Sequence, residues 1–178
     1  MMGLLIPDRG EFGVVLVKDG GIVSIGCTAT VEQVQRRYPD GRLDVVAFGR
    51  RRFQIVSIDE EKPYLQGEVQ YFNDQDARPV PPRLQQRAIA EYKKLRAVAG
   101  NDVAVEPRLD EPQVSFQLAQ LIDDLDHRQA LLAMRSESER LMYLVENLPG
   151  YIERRELLAL ARRVAPQNGH AKSYKEEV

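Results

Sequence analysis

Three consecutive arginines, Arg50, Arg51 and Arg52, stand between the apolar runs Leu43–Phe48 and Phe53–Ile58. Guanidinium groups massed in this way can grip phosphate or carboxylate through planar, forked hydrogen bonds. The competing reading is the solvated tip of a hairpin whose arginines pair with Asp59, Glu60 or Glu61. Two features favour the tip. No aromatic residues interleave the arginines to stack bases, as single-strand binders require. The whole chain carries a formal net charge of −2, whereas nucleic-acid binders carry a basic excess. A nucleic-acid partner is therefore not expected. The pairs Arg36-Arg37, Arg154-Arg155 and Arg162-Arg163 read as ordinary surface charge.

Other reactive residues are few. Cys27 is the single cysteine and lies among apolar neighbours. A nucleophilic thiol needs a base and an electropositive surrounding, so Cys27 reads as a small buried hydrophobe. The two histidines, His127 and His170, form no cluster with zinc-ligand spacing. Asp123, Asp124 and Asp126 resemble a fragment of a calcium loop without its glycine and distal glutamate. Neither phosphate-cradling glycine motif is present. Ser173 and Lys175 lie in a polar tail that cannot preorganise a dyad. The expectation is a protein without enzymatic activity, metal or cofactor. Tyr64, Tyr71 and Phe72 are the residues best suited to binding. They fall near the end of the strand-rich half, where they either line a groove between two halves or glue a helix to the sheet.

The elements that would carry these residues change character along the chain. Phe12–Val17 and Ile25–Val34 read as strands, and Gly26 inside the second suggests a bulge or a close backbone approach. Tyr38-Pro39-Asp40-Gly41 is turn chemistry. Leu43–Phe48 and Phe53–Ile58 read as two strands with Gly49 at the bend, and Tyr64–Phe72 as the last strand. Three prolines within residues 73–83 make a connector, after which the apolar period becomes helical. Leu84, Ala88, Tyr92 and Leu95 form one stripe. Helical spacing returns over 113–123 and 127–134. Ser136-x-x-Glu139 has the form of a capping box, opening a helix that Pro149-Gly150 is expected to end. A last helix follows over 151–164. The fold class expected is α+β, a small antiparallel barrel-like β lobe followed by a helical bundle lobe. The boundaries are 1–76 for the β lobe, 77–165 for the helical lobe and 166–178 for a disordered tail. No apolar run approaches the ~20 residues that cross a bilayer. With one cysteine and no signal-peptide pattern, a cytoplasmic protein without membrane contact is expected.

Several segments, taken in order, resemble the N-terminal domain of the Lon proteases. They are FGVVLV (12–17), IGCTATV (25–31), PDGRLDVVAFGRRRFQI (39–55), EEKPYLQGEVQYF (60–72) and VSFQLAQLIDDLDHRQALLAMRSESERLMYLVENL (114–148). The resemblance covers about residues 4–150 and marks Gly26, Gly41, Gly49, Arg52 and Phe53 as structural positions of the family motif. It lacks ATPase and protease segments and so is similar to the stand-alone bacterial form. The family's usual opening strand is also missing, which points to a late start or to a version without that edge strand. The resemblance implies a substrate-recognition module in protein quality control, with unfolded or exposed hydrophobic polypeptides as partners. The alternatives are a self-associating regulatory scaffold, which would form a homo-oligomer, and a small-molecule sensor with a pocket between the lobes.

Overall fold

The computed structural model describes residues 10–59, 61–62, 64–75, 79–99, 107–108 and 110–164. Its elements are four strands, β1 (Glu11–Lys18), β2 (Gly21–Arg37), β3 (Leu43–Asp59) and β4 (Gln66–Phe72), then helices α1 (Pro82–Ala99), α2 (Val114–Leu118), α3 (Leu125–Ala133) and α4 (Glu137–Val164). A single turn of 3₁₀ helix, Ala119–Leu121, follows α2. The fold is α+β, as its sequence pattern indicates. The chain divides into two compact units, Met1–Ala77 with Asp124–Arg135, and Arg78–Asp123 with Ser136–Val178.

The first unit is a four-stranded antiparallel sheet in the order β1-β2-β3-β4, with α3 packed on β2. Among the described residues the sheet is open rather than a closed barrel, with β1 and β4 at its edges. The β2–β3 turn is the one that Pro39-Asp40-Gly41 specifies. Gly41 takes a φ of +87°, and its N–H donates to the Tyr38 carbonyl at 3.1 Å. Gly49 makes no bend. β3 runs unbroken from Leu43 to Asp59, so Arg50, Arg51 and Arg52 lie in mid-strand and are not a hairpin tip. The physical reason is that pairing with β2 continues past the arginines across a bulge between the Cys27–Arg52 and Ala29–Gly49 pairs, and each guanidinium finds a partner: Thr30 for Arg50, Glu11 for Arg51 and Asp74 for Arg52.

Arg52 is the buried one of the three, at 8% exposure. Its Nη1 donates to the carbonyls of Leu132 and Met134, at 3.2 and 2.5 Å, and its Nη2 to Asp74 Oδ1 at 2.6 Å. It thereby caps the C-terminal end of α3, where carbonyls lack helical partners. The other end of α3 is capped by Asp124, whose Oδ1 accepts from the amides of Asp126 and His127 at 2.9 and 3.1 Å. In mid-helix Gln129 Nε2 donates to the Ile25 carbonyl at 3.0 Å. This helix falls inside the 77–165 span that the sequence pattern gave to one helical lobe, yet it belongs with the sheet.

The second unit packs α1 against α4. Pro82 opens α1, where its missing N–H costs nothing. Ala88, Tyr92 and Leu95 are buried as their spacing indicates. They meet Leu141, Leu144, Leu148 and Ile152 of α4 and the apolar side chains of α2 in one core. Ser136 Oγ accepts the Glu139 amide at 3.4 Å, the serine half of the expected capping box. The buried carboxylate of that turn is Glu137, which accepts from Ser115 N at 2.8 Å, Ser115 Oγ at 2.6 Å and Arg140 Nη2 at 2.8 Å. Arg140 Nε also donates to Ser115 Oγ at 2.8 Å, and its guanidinium lies 4.4 Å from the Phe116 ring centroid. Helix α4 does not end at Pro149 but continues through it for 28 residues in all. Leu148 and Ile152 are buried on either side of the proline, and that packing holds the helix through the lost hydrogen bond. The tail expected to be disordered, 166–178, lies outside the described residues.

Candidate functional site

Gly26 is the residue on which the sheet unit's groove depends. A Cβ there would lie 2.6 Å from Phe53 Cζ, 2.6 Å from the Val14 carbonyl oxygen and 2.8 Å from Val15 Cγ1. Gly26 stands opposite Phe53 in the β2–β3 register, and Phe53 opposite Tyr71 in the β3–β4 register. The ring of Phe53 therefore fills the space a side chain at 26 would need, and only 3% of Phe53 is exposed. This is the close approach that the sequence suggested for Gly26.

Around that ring lies a groove of about 520 Å³ on one face of the sheet. All four strands contribute to it: Phe12 and Val15 from β1, Ile22 from β2, Phe53 and Ile55 from β3, Val69 and Tyr71 from β4. Since β1 and β4 are the sheet's two edges, the sheet curls far enough for both to wall one concavity. Tyr64 and Leu65, which precede β4 rather than belonging to it, line the groove as well. Its lining is mostly aliphatic and aromatic, with Glu11 its one ionisable carboxylate. Glu11 accepts from Arg51 Nη2 at 3.0 Å and Nε at 3.3 Å. That hydrogen bond, more than a second from Thr28, holds the Glu11 carboxyl below the usual carboxylate range.

Of the aromatics singled out by sequence, the structure brings Tyr64 and Tyr71 into this groove. Phe72 points elsewhere. It lines a smaller concavity with Gln54, Gln70, Asp74 and Arg135, and its ring is approached by the guanidiniums of Arg52 at 4.9 Å and Arg135 at 4.6 Å. The groove is lined wholly by residues of the sheet unit. Sequence reasoning missed Phe12, Val15, Ile55 and Val69 as lining residues. For Ile55 and Val69 the signal was present in their period-two spacing from Phe53 and Tyr71, but it marks a covered face and an open one alike, and Phe12 and Val15, three residues apart, carry no such signal. Gly41 and Gly49 lie away from the lining.

Other reactive side chains among the described residues are held in structural contacts. Burial pushes the Cys27 thiol up, against the activation a nucleophile needs, and its Sγ donates to the Thr28 carbonyl at 3.2 Å. Ser115, hydrogen-bonded between Glu137 and Arg140, is fully buried and no substrate reaches it. Among the described residues no group of three or more His, Cys, Asp or Glu side chains gathers to hold a metal. Nor is any described helix long and apolar enough to cross a membrane.

The sequence matches the family described as the ATP-dependent protease La (LON) substrate-binding domain over residues 5–149. Among solved structures the chain is similar to a Lon N-terminal domain protein from Xanthomonas campestris. The two share 22% identity with a TM-score of 0.62, over 82% of this chain and 80% of that one. It is also similar to the N-terminal domain of the Lon protease of Mycobacterium avium complex, at 18% identity and a TM-score of 0.53, over 78% and 77% of the two chains. At these identities the likeness is one of fold. No curated protein matches the chain.

Proposed function

Because the chain belongs to the Lon substrate-binding domain family, we propose that it is a non-enzymatic polypeptide-binding module. Its ligand is an unfolded or exposed hydrophobic segment, taken in extended form into the groove of the sheet unit. The observation that carries this reading is the groove itself: four strands curl an apolar lining of about 520 Å³ around Phe53, between two sheet edges. An extended segment laid there buries its alternate side chains among Phe12, Ile55, Val69 and Tyr71 and can add backbone hydrogen bonds at β1 or β4. The setting that fits is the cytoplasm of a bacterium, with no nucleic-acid or membrane partner.

A fluorescent apolar peptide and an unfolded model protein, titrated with the full chain, test the proposal. Saturable binding that persists at high salt is expected, since apolar contact is not screened. Val69→Asp, which puts a charge on the groove wall, should abolish it, and Tyr71→Ala should weaken it. Equal binding by wild type and Val69→Asp would move the site away from the groove. One other observation favours a self-associating scaffold instead: Leu157, Leu158 and Leu160 of α4 are each at least half exposed. Sedimentation that finds a stable oligomer, together with no peptide binding, would support that second reading.

A further inference from the structure

Arg51 does not line the groove, yet it touches two residues that do. Its Cζ lies 3.9 Å from the centroid of the Tyr71 ring, and its Nη2 donates to Tyr71 Oη at 3.2 Å. The same Nη2, with Nε, reaches Glu11. In the sheet order β1-β2-β3-β4 these residues sit on β1, β3 and β4. The side chains thus form a strap that starts at one edge strand, passes over β2 and ends at the other edge strand. Thr28 of β2 fixes the strap's centre, since its Oγ1 accepts the Arg51 amide at 3.1 Å.

We propose that Arg51 is a positioning residue of the groove: held by Glu11, its guanidinium fixes the Tyr71 ring as the wall at one end and keeps β1 drawn toward β4. The proposal rests on the groove being the polypeptide site. A planar guanidinium can stack on a ring and fork to a carboxylate at once, and a lysine ammonium cannot do both. The groups acting on Glu11 are Arg51 and Arg50 of β3 and Thr28 and the Cys27 thiol of β2, while Tyr71 of β4 meets it only through the shared Arg51 guanidinium. Glu11 titrates below the usual range because it is bonded in the fold. The strap is therefore whole above the ordinary carboxylate pKa and is lost only as pH falls through the lowered one.

The test uses the full chain with ¹³C-labelled tyrosine rings, the Tyr71 signal being assigned by its loss in Tyr71→Phe, together with the fluorescent apolar peptide. Glu11→Gln and Arg51→Lys should each shift the Tyr71 ring signal and weaken peptide binding roughly threefold to fivefold, the scale of one exposed cation–ring contact. Arg50→Lys should do neither. In wild type the Tyr71 signal should move with the Glu11 titration, and in Arg51→Lys that coupling should vanish. Glu11→Gln is nearly isosteric, so its result stands even where an Arg51 variant folds poorly. Wild-type binding with an unmoved Tyr71 signal and unchanged affinity in both variants would overturn the positioning role alone. A wild type that binds no apolar peptide would overturn the groove reading and this role with it.

Discussion

Arg52 and Arg140 are both withdrawn from water, and each is surrounded by fixed acceptors. Burying a guanidinium is costly, and the cost is offset only when its donors are nearly all used. Arg52 meets two helix-end carbonyls and Asp74, and Arg140 meets Glu137 and Ser115. Removing one partner should hurt more than removing both, because the survivor is left charged and dry. Arg140→Ala is expected to cost ~3–5 kcal/mol. The double variant Arg140→Ala with Glu137→Ala should cost less than the two single losses added together. Urea unfolding of the four proteins measures this, and strict additivity would show that the pair acts independently. Gly26→Ala belongs at the same scale. Its Cβ would stand 2.6 Å from the Val14 carbonyl oxygen, and backbone yields less than a side-chain tip. A loss of roughly 1–3 kcal/mol is expected, as for overpacked cores, and a thermal melt checks it. Neither arginine's burial can be read from the composition of Arg50-Arg51-Arg52 or of Glu139-Arg140-Leu141. The resemblance marks Arg52 as a structural position of the family motif and does not mark Arg140.

Elements differ in how openly the sequence announces them. The β2–β3 turn and the stripe of α1 follow from turn chemistry and helical period, and the structure has both where the residues put them. The errors came from treating single breakers as decisive. Gly49 stands alone, without the Asp or Pro that shapes a turn at 39–41, and it sits in a continuous strand. Pro149 interrupts one hydrogen bond of a helix whose neighbouring residues Leu148 and Ile152 are already committed to the core. The groove was half legible. Tyr64 and Tyr71 could be named, but which face the sheet would leave open depends on its curl, which no local period encodes. Asp124 offers a test of how an element is held. Asp124→Ala removes the acceptor for two amides at the start of α3 and should cost about 1 kcal/mol, whereas Asp124→Asn should keep most of that stability. Amide exchange at Asp126 and His127 should quicken in the alanine variant first. Equal protection in all three proteins would mean that packing on β2, not the cap, holds that end.

At the scale of the whole molecule, the two units interleave in sequence. The chain leaves the sheet unit after Ala77 and returns to it for Asp124–Arg135 before completing the helical unit. A linear division at 76 and 77 cannot represent this, because the return is made by contacts between distant residues. Those contacts are specific: Arg52 to Leu132 and Met134, Gln129 to Ile25, and the Gln75 amide to the Arg135 carbonyl at 2.8 Å. A fragment of residues 1–77 would therefore keep four strands and Asp74 but lose the two helix-end carbonyls that take up the Nη1 donor of the buried Arg52. It is expected to show no cooperative urea transition. Restoring 124–135 should repair it. The end of that segment lies beside residue 75, so a linker from 77 to 124 has to span the length of α3. Nine residues of helix measure about 14 Å, a distance that a Gly/Ser linker of roughly eight residues covers. The joined protein should unfold in one sigmoidal step, and its sheet should bind the apolar peptide if the groove is the site. A bare 1–77 fragment that unfolds as steeply as the joined one would show that the strands need no helix, and that Arg52 is satisfied without α3.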